Sequence, residues 1–147
     1  IYIPTLEGWL YLVTVLDIFT RRIVGWSMGI HHDAPLALAA LTMALQHHRP
    51  SAGVILHSDR GSEFANQRYA EACEGKVIRS MSDSGNCYDN AMAESFFATL
   101  KLEAIHGQVF ATRSEARMAI FDYIEVFYNR QRLHSGIAYA APVTMAA

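Results

Sequence analysis

Two carboxylates stand apart from the other acids of this chain by their setting. Asp59 follows a short apolar run, in His57-Ser58-Asp59-Arg60-Gly61-Ser62-Glu63-Phe64. A carboxylate at the end of a buried strand, just ahead of a glycine, sits where open α/β sheets place their ligand crevices. Asp is also a preferred helix cap, so the spacing alone equally allows a structural role. Glu94 ends the stretch Asn86-Cys87-Tyr88-Asp89-Asn90-Ala91-Met92-Ala93-Glu94. On a helix, Asn90, Glu94 and Lys101 share one stripe beside an apolar one of Ala93, Phe96, Leu100 and Ala104. That polar stripe is either a working edge or a solvated face. Arg130, Arg132 and His134 offer cations to a phosphate, with Tyr128 placed to stack or pack beside them; an exposed basic tail is the plainer reading. The adjacent pairs His31-His32 and His47-His48 point their rings in different directions, which favours surface roles over a zinc site.

Composition narrows what such residues can do. The chain has 147 residues, of which 52% are hydrophobic and 18% charged. That is one domain with a packed core, not a disordered chain. A net charge of −2 excludes gripping nucleic acid by bulk charge. Any contact with a polyanion must use a local basic surface or bridging metal ions. Cys73 and Cys87 lack CxxC spacing and read as reduced thiols in a cytoplasmic protein. No apolar run reaches the ~18 residues of a membrane span. Ile1 opens inside a strand-like pattern, so the sequence reads as one piece of a longer protein.

The elements that must position these groups follow from period and punctuation. Ile1–Ile3 reads as the tail of a strand stopped by Pro4, followed by strands at Leu10–Leu16 and Ile23–Ile30 in an antiparallel meander. Asp33 caps a helix running to His47. Val54–Leu56 is a short strand of the buried parallel type. A helix over about 66–74, a strand over 77–81, and a loop over 82–88 follow, with Gly85 and Asn86 giving that loop the freedom of a lid. Asp89 opens a helix to about Ile105, and Ser114 another to about Tyr128. The sum is an α/β domain with one five-stranded mixed sheet, three antiparallel strands then two parallel, and helices on both faces.

The long strings in this sequence resemble the integrase-core transposases of bacterial insertion sequences and, more distantly, retroviral integrases. They are YIPT at Tyr2–Thr5, LDIFTRRIVGW at Leu16–Trp26, HSDRGSEF, SMSDSGNCYDNAMAESFFATLK at Ser80–Lys101, and YNRQRLHSGIAY at Tyr128–Tyr139. The resemblance implies a ribonuclease H-like fold. It matches Asp59 to the second acid, and Glu94 to the last, of a DDE catalytic triad. Lys101, Asn90 and the cluster Arg130, Arg132 and His134 are the DNA-contact candidates. The implied chemistry is phosphodiester cleavage and strand transfer with two Mg²⁺ ions, Mn²⁺ substituting, held roughly 4 Å apart by three carboxylates. Asp59 and Glu94 should then approach within roughly 4–8 Å. The implied partners are DNA ends, target DNA and a second copy of the chain, with the protein at the nucleoid when acting. A nuclease that cuts without joining, and a non-catalytic DNA-binding or dimerisation module, are the alternative readings.

The family's first Asp falls two residues before Ile1. Residues 1–147 are therefore expected to form a catalytic core lacking the start of its first strand, with a C-terminal extension from about 131, and to be inactive alone. Asp17 is the nearest substitute. With a hairpin turn at Glu7-Gly8, Ile1 faces Thr14 and the missing acid faces Leu16. Asp17 then lies one step along and on the opposite face, a supporting acid rather than a replacement.

Overall fold

The computed structural model describes residues 1–48, 53–58, 61–81, 91–133, 137–138 and 140–142. Three antiparallel strands come first: β1 (Tyr2–Thr5), β2 (Gly8–Leu16) and β3 (Ile23–Gly29). Pro4 does not stop β1; it pairs with Trp9 within it. β1 is an outer strand of this sheet, where a missing N–H is tolerated. The hairpin turns at Leu6–Glu7, one residue earlier than the sequence suggests, with Thr5 opposite Gly8. This moves the register by two: Ile1 faces Leu12, donating to its carbonyl at 3.1 Å and accepting from its N–H at 3.0 Å.

Gly8 opens β2 at φ +123°, a conformation side-chain-bearing residues rarely adopt. Its bare Cα also lets the Arg113 guanidinium lie against it, where a Cβ would sit 2.6 Å from Nη2. The glycine thus serves a contact with a distant helix.

Helix α1 (Ala34–His48) starts with the Asp33 carboxylate accepting from the Leu36 N–H at 3.2 Å. β4 (Ile55–Ser58) and β5 (Ile78–Met81) pair in parallel, with α2 (Gln67–Cys73) between them in sequence. The Asn66 side chain caps α2 by accepting from Tyr69 N–H. α3 (Ala91–Leu100) continues as a π-helical stretch, Lys101–Ile105, and α4 (Arg113–Phe121) as another, Asp122–Tyr128. Thr112, not the Ser114 region, supplies the α4 cap. The expected opening of α3 at Asp89, and the loop holding Gly85 and Asn86, lie outside the described residues.

Helices cover both faces, as the pattern predicts. Ile3, Leu10, Leu12 and Ile23 pack against Phe96 and Leu100 of α3 and Ile120 of α4. On the other face Val13 packs with Leu41 of α1 and with Tyr69 and Cys73 of α2. Burial pushes the Cys73 thiol above its ordinary pKa, which keeps it an inert core residue.

Two features differ from expectation. Among the described residues the strands hydrogen-bond as two sheets, β1-β2-β3 and β4-β5, and not as one of five. β4 is also not a buried strand: Ile55 is 64% exposed. Both have one cause, because β2 and β4 face each other across a groove of about 800 Å³ instead of pairing.

Just past the second π-helical stretch, the Asn129 side chain ties the chain to β3. Asn129, 4% exposed, accepts from the Ile23 N–H at 2.9 Å and donates to its carbonyl at 3.1 Å. Asn129→Ala strands two backbone groups in a buried setting, at about 1–3 kcal/mol each before relaxation. Urea unfolding should show a loss of about 2–4 kcal/mol; a loss below about 0.5 would mean that water replaces the side chain.

Candidate active site

The groove between β2 and β4 is lined by two of the acids that the sequence singled out, Glu94 and Asp17. Glu94, in the first turn of α3, lines it as an exposed carboxylate. Ser58, the last residue of β4, lines it as well, and Asp59 follows Ser58 directly in sequence. Asp59 itself, Asn90 and His134 lie outside the described residues. The expected approach of Asp59 to Glu94 therefore involves a residue outside the described ones.

Asp17 also lines the groove, but its carboxylate has local work. Oδ1 accepts from the N–H groups of Phe19 at 2.9 Å and Thr20 at 3.4 Å, closing the turn between β2 and β3. The same turn carries Arg21 in the left-handed region, at φ 65°, and Arg21 reaches Met92 Sδ at the start of α3. Asp17 thus holds a turn at the groove's edge. Among the described residues, no three His, Cys, Asp or Glu side chains converge to hold a metal ion. The groove's described lining offers the carboxylates of Asp17, Glu63 and Glu94, the oxygen chemistry that suits Mg²⁺, together with the rings of His32 and His57.

Lys101 fits the expected polar stripe. It is exposed, seven residues beyond the exposed Glu94, and borders a shallow cleft with Tyr2, Pro4 and Gln108. Phe96 and Leu100 are buried on the other side of the helix, as the periodicity predicts. The basic cluster is more divided. Arg130 is exposed and donates to the Glu125 carbonyl at 3.1 Å. Arg132 grips both oxygens of Glu103 at 2.8–3.0 Å, and Glu103 also accepts from the Tyr123 hydroxyl at 2.9 Å. This hydrogen bond and ion pair raise the Arg132 pKa further, so its charge belongs first to Glu103. Tyr128 is a core residue, 4% exposed and edge-on to Phe96. Burial pushes its hydroxyl up to about 12.

Two ion pairs had no signal in the sequence. His32 Nε2 lies 2.9 Å from Glu63 Oε1, and Glu63 is 7% exposed. The two are thirty-one positions apart and belong to different sheets' surroundings, so spacing gave no hint of the pair. The Glu103–Arg132 pair, twenty-nine positions apart, was hidden for the same reason.

This α/β layer structure has a fold seen in retroviral integrases. The simian T-cell lymphotropic virus intasome contains a chain matching 99% of this one at TM-score 0.79 and 12% identity, over 51% of that chain. The integrase catalytic core domain of HTLV-2, solved in complex with magnesium in a trimeric form, matches all of this chain and 91% of its own, at TM-score 0.70 and 11% identity. These likenesses establish the fold.

Sequence comparison is more specific. An integrase core domain family matches residues 1–87, and a second family of the same description matches residues 94–144. The transposase for insertion sequence element IS904 of Lactococcus lactis is 46% identical over 96% of this chain and 56% of its own length. The transposase InsF of insertion sequence IS3A from Escherichia coli K12 is 47% identical over 91% of this chain and 47% of its own. The chain belongs to the integrase core domain family. It spans about half the length of the curated relatives it matches.

Proposed function

We propose that this chain is the catalytic core of a DNA transposase that cuts and joins phosphodiester bonds. The carrying observation is the shared groove: Glu94 on α3 and the C-terminal end of β4, directly before Asp59, address the same space. Asp59 and Glu94 are the ligands this reading assigns, with a third carboxylate from the residues ahead of Ile1. Magnesium, or manganese in its place, would activate the attacking water or 3′-hydroxyl and stabilise the leaving 3′-oxygen. The protein's own part is to hold the carboxylates at fixed separation and to align the DNA strand. Carboxylates on separate strand and helix ends are well suited to that, since each is fixed by its own element.

The groove also supports the third ligand's place. Ile1 already pairs with Leu12, so a chain continuing upstream along β2 would run past Val13 and Thr14 into the groove. Such a strand would fill the space between β2 and β4. DNA is the proposed substrate and partner, and a second copy of the chain is the proposed assembly, since joining two ends needs more than one site. Among the described residues no helix is long and apolar enough to cross a membrane.

The test is incubation of the full-length protein with DNA carrying element ends, with Mg²⁺ or Mn²⁺. Metal-dependent nicks and strand-transfer products are expected. Nicks without joining would identify a nuclease, and neither product would leave a non-catalytic module. Lys101 and Arg130 are the exposed cations proposed to contact phosphates. Lys101→Ala should weaken DNA binding about equally across sequences and lower the slope of log K against log salt by about 1. An unchanged slope would remove Lys101 from the DNA path.

A further inference from the structure

We propose that the exposed aromatic face of the β1–β2 hairpin, Tyr2 with Trp9, is a stacking platform for unpaired DNA bases whose adjoining phosphates Lys101 holds. The inference rests on the DNA-transposase reading above and deepens it, by naming the form of DNA that this surface takes. It gives a role to two aromatic residues that the reading leaves unused.

The platform follows from the hairpin's register. Tyr2 pairs with Tyr11 and Pro4 with Trp9, so alternation places all four on one face of the sheet. Ile3 and Leu10, also paired, turn to the opposite face and are fully buried. Further along the sheet α1 covers the aromatic face, where Val13 packs against Leu41. That cover ends before the hairpin tip, leaving Tyr2 52% and Trp9 51% exposed. The rings are nonetheless held. Tyr2 lies 6.1 Å from Trp9 in a tilted pair and meets Tyr11 edge-on at 4.9 Å. His32 stacks on Tyr11 with planes 17° apart and meets Tyr2 edge-on at 5.6 Å. A half-exposed ring fixed by its neighbours offers contact area at little entropic cost.

Charge and position say what such a surface takes. Tyr2 and Pro4 line a cleft of about 220 Å³ together with the exposed Lys101. At the hairpin's other end the Arg113 guanidinium lies against Gly8 and donates to the Trp9 carbonyl at 3.1 Å. Glu63, which meets the cluster through His32, is buried and bonded to that ring at 2.9 Å. Aromatic rings flanked by cations match a single strand of nucleic acid, whose bases stack on the rings while its phosphates meet the charges. Bases inside a duplex are stacked on one another and cannot lie on a protein ring, so the platform selects unpaired ones. Its place fits that use. Tyr2 borders the Lys101 cleft, and His32, in ring contact with Tyr2, lines the groove that Glu94 also lines. The platform thus lies between the proposed phosphate contact and the proposed catalytic groove.

The test measures the DNA affinity of the full-length protein by fluorescence anisotropy, without metal. Three DNAs carry the same element end: a blunt duplex, a duplex with an unpaired tail of about four nucleotides on either strand, and the same tail without its bases. The parent should bind the base-bearing tail about fivefold or more tighter than the abasic one. Tyr2→Ala and Trp9→Ala should each lose about fivefold or more on the base-bearing tail and stay within about twofold on the blunt duplex. Tyr2→Phe and Trp9→Phe, which keep a ring, should stay within about threefold throughout. Equal losses on tailed and blunt DNA would mark the rings as a fold contact and overturn the proposal. So would base-bearing and abasic tails bound alike by the parent, a result that needs no variant to fold. Unchanged tail affinity with a loss of self-association in the alanine variants would assign the face to a second copy of the chain, and also overturn it. A parent that cuts and joins DNA but ignores the tail's bases leaves the transposase reading standing without the platform. One that prefers base-bearing tails but cuts nothing does the reverse.

Discussion

Glu94→Gln in the full-length protein should lower DNA nicking by about a thousandfold or more, a barrier increase of at least ~4 kcal/mol. The substitution keeps the side chain's length and shape and removes its charge. Glu94 is exposed in the first turn of α3, so neutralising it forfeits only a favourable helix-end interaction of about 0.3–1 kcal/mol. Stability should therefore barely change, and circular dichroism and melting temperature should match the parent. A neutral amide cannot replace a carboxylate as a ligand to a divalent cation, whose affinity for hard anionic oxygen supplies most of the binding. Loss of nicking with an intact fold, and weakened Mg²⁺ binding in the same variant, would together assign Glu94 as a ligand. Activity within tenfold of the parent would show that the exposed stripe of α3 is a solvated face.

How much of this was readable beforehand depends on the range of the interactions involved. Elements set by local chemistry were legible: the Asp33 cap of α1, the apolar stripe of Phe96 and Leu100 on α3, and the run ending near Tyr128. Asp59 and Glu94 were marked by their strings, and the groove brings Glu94 to the strand end that precedes Asp59. The hairpin register was not legible, because a glycine beside Glu7 is the usual sign of a turn. Here Gly8 is spent on the close approach of Arg113, whose Nε also donates to the Trp9 carbonyl at 3.1 Å. Nothing within ten residues of Gly8 announces that partner. Arg132 read as a free cation because no acid follows Glu125, yet Glu103 arrives from α3's continuation. β4 read as buried because its composition is apolar, but burial needs a neighbouring strand, and the groove stands on that side. Local pattern fixed the parts; the pairing of distant parts is a property of the packed molecule.

Residues 1–147 expressed alone should fold, bind Mg²⁺ weakly and show no nicking or joining of end-containing DNA, whereas extension upstream through the first acid should restore metal binding and, in the full-length protein, activity. The corrected register sharpens this expectation. Ile1 faces Leu12, so the second residue upstream faces Thr14, and Asp17 lies three positions beyond Thr14, just past the end of β2. At about 3.3 Å per residue that is roughly 10 Å along the strand, too far for the Asp17 carboxylate to occupy the same ligand position. Its Oδ1 is also engaged by the backbone of Phe19 and Thr20, and moving it would open the turn between β2 and β3. Asp17→Asn keeps an oxygen acceptor for those N–H groups and removes the charge, so it separates the turn role from a ligand role. In the extended chain it should leave nicking within about threefold of the parent, as expected of a change away from the metal ligands. Replacing the upstream acid by Asn should abolish nicking. Vigorous Mn²⁺-dependent nicking by residues 1–147 that disappears in Asp17→Asn would reverse the assignment and make Asp17 the third ligand.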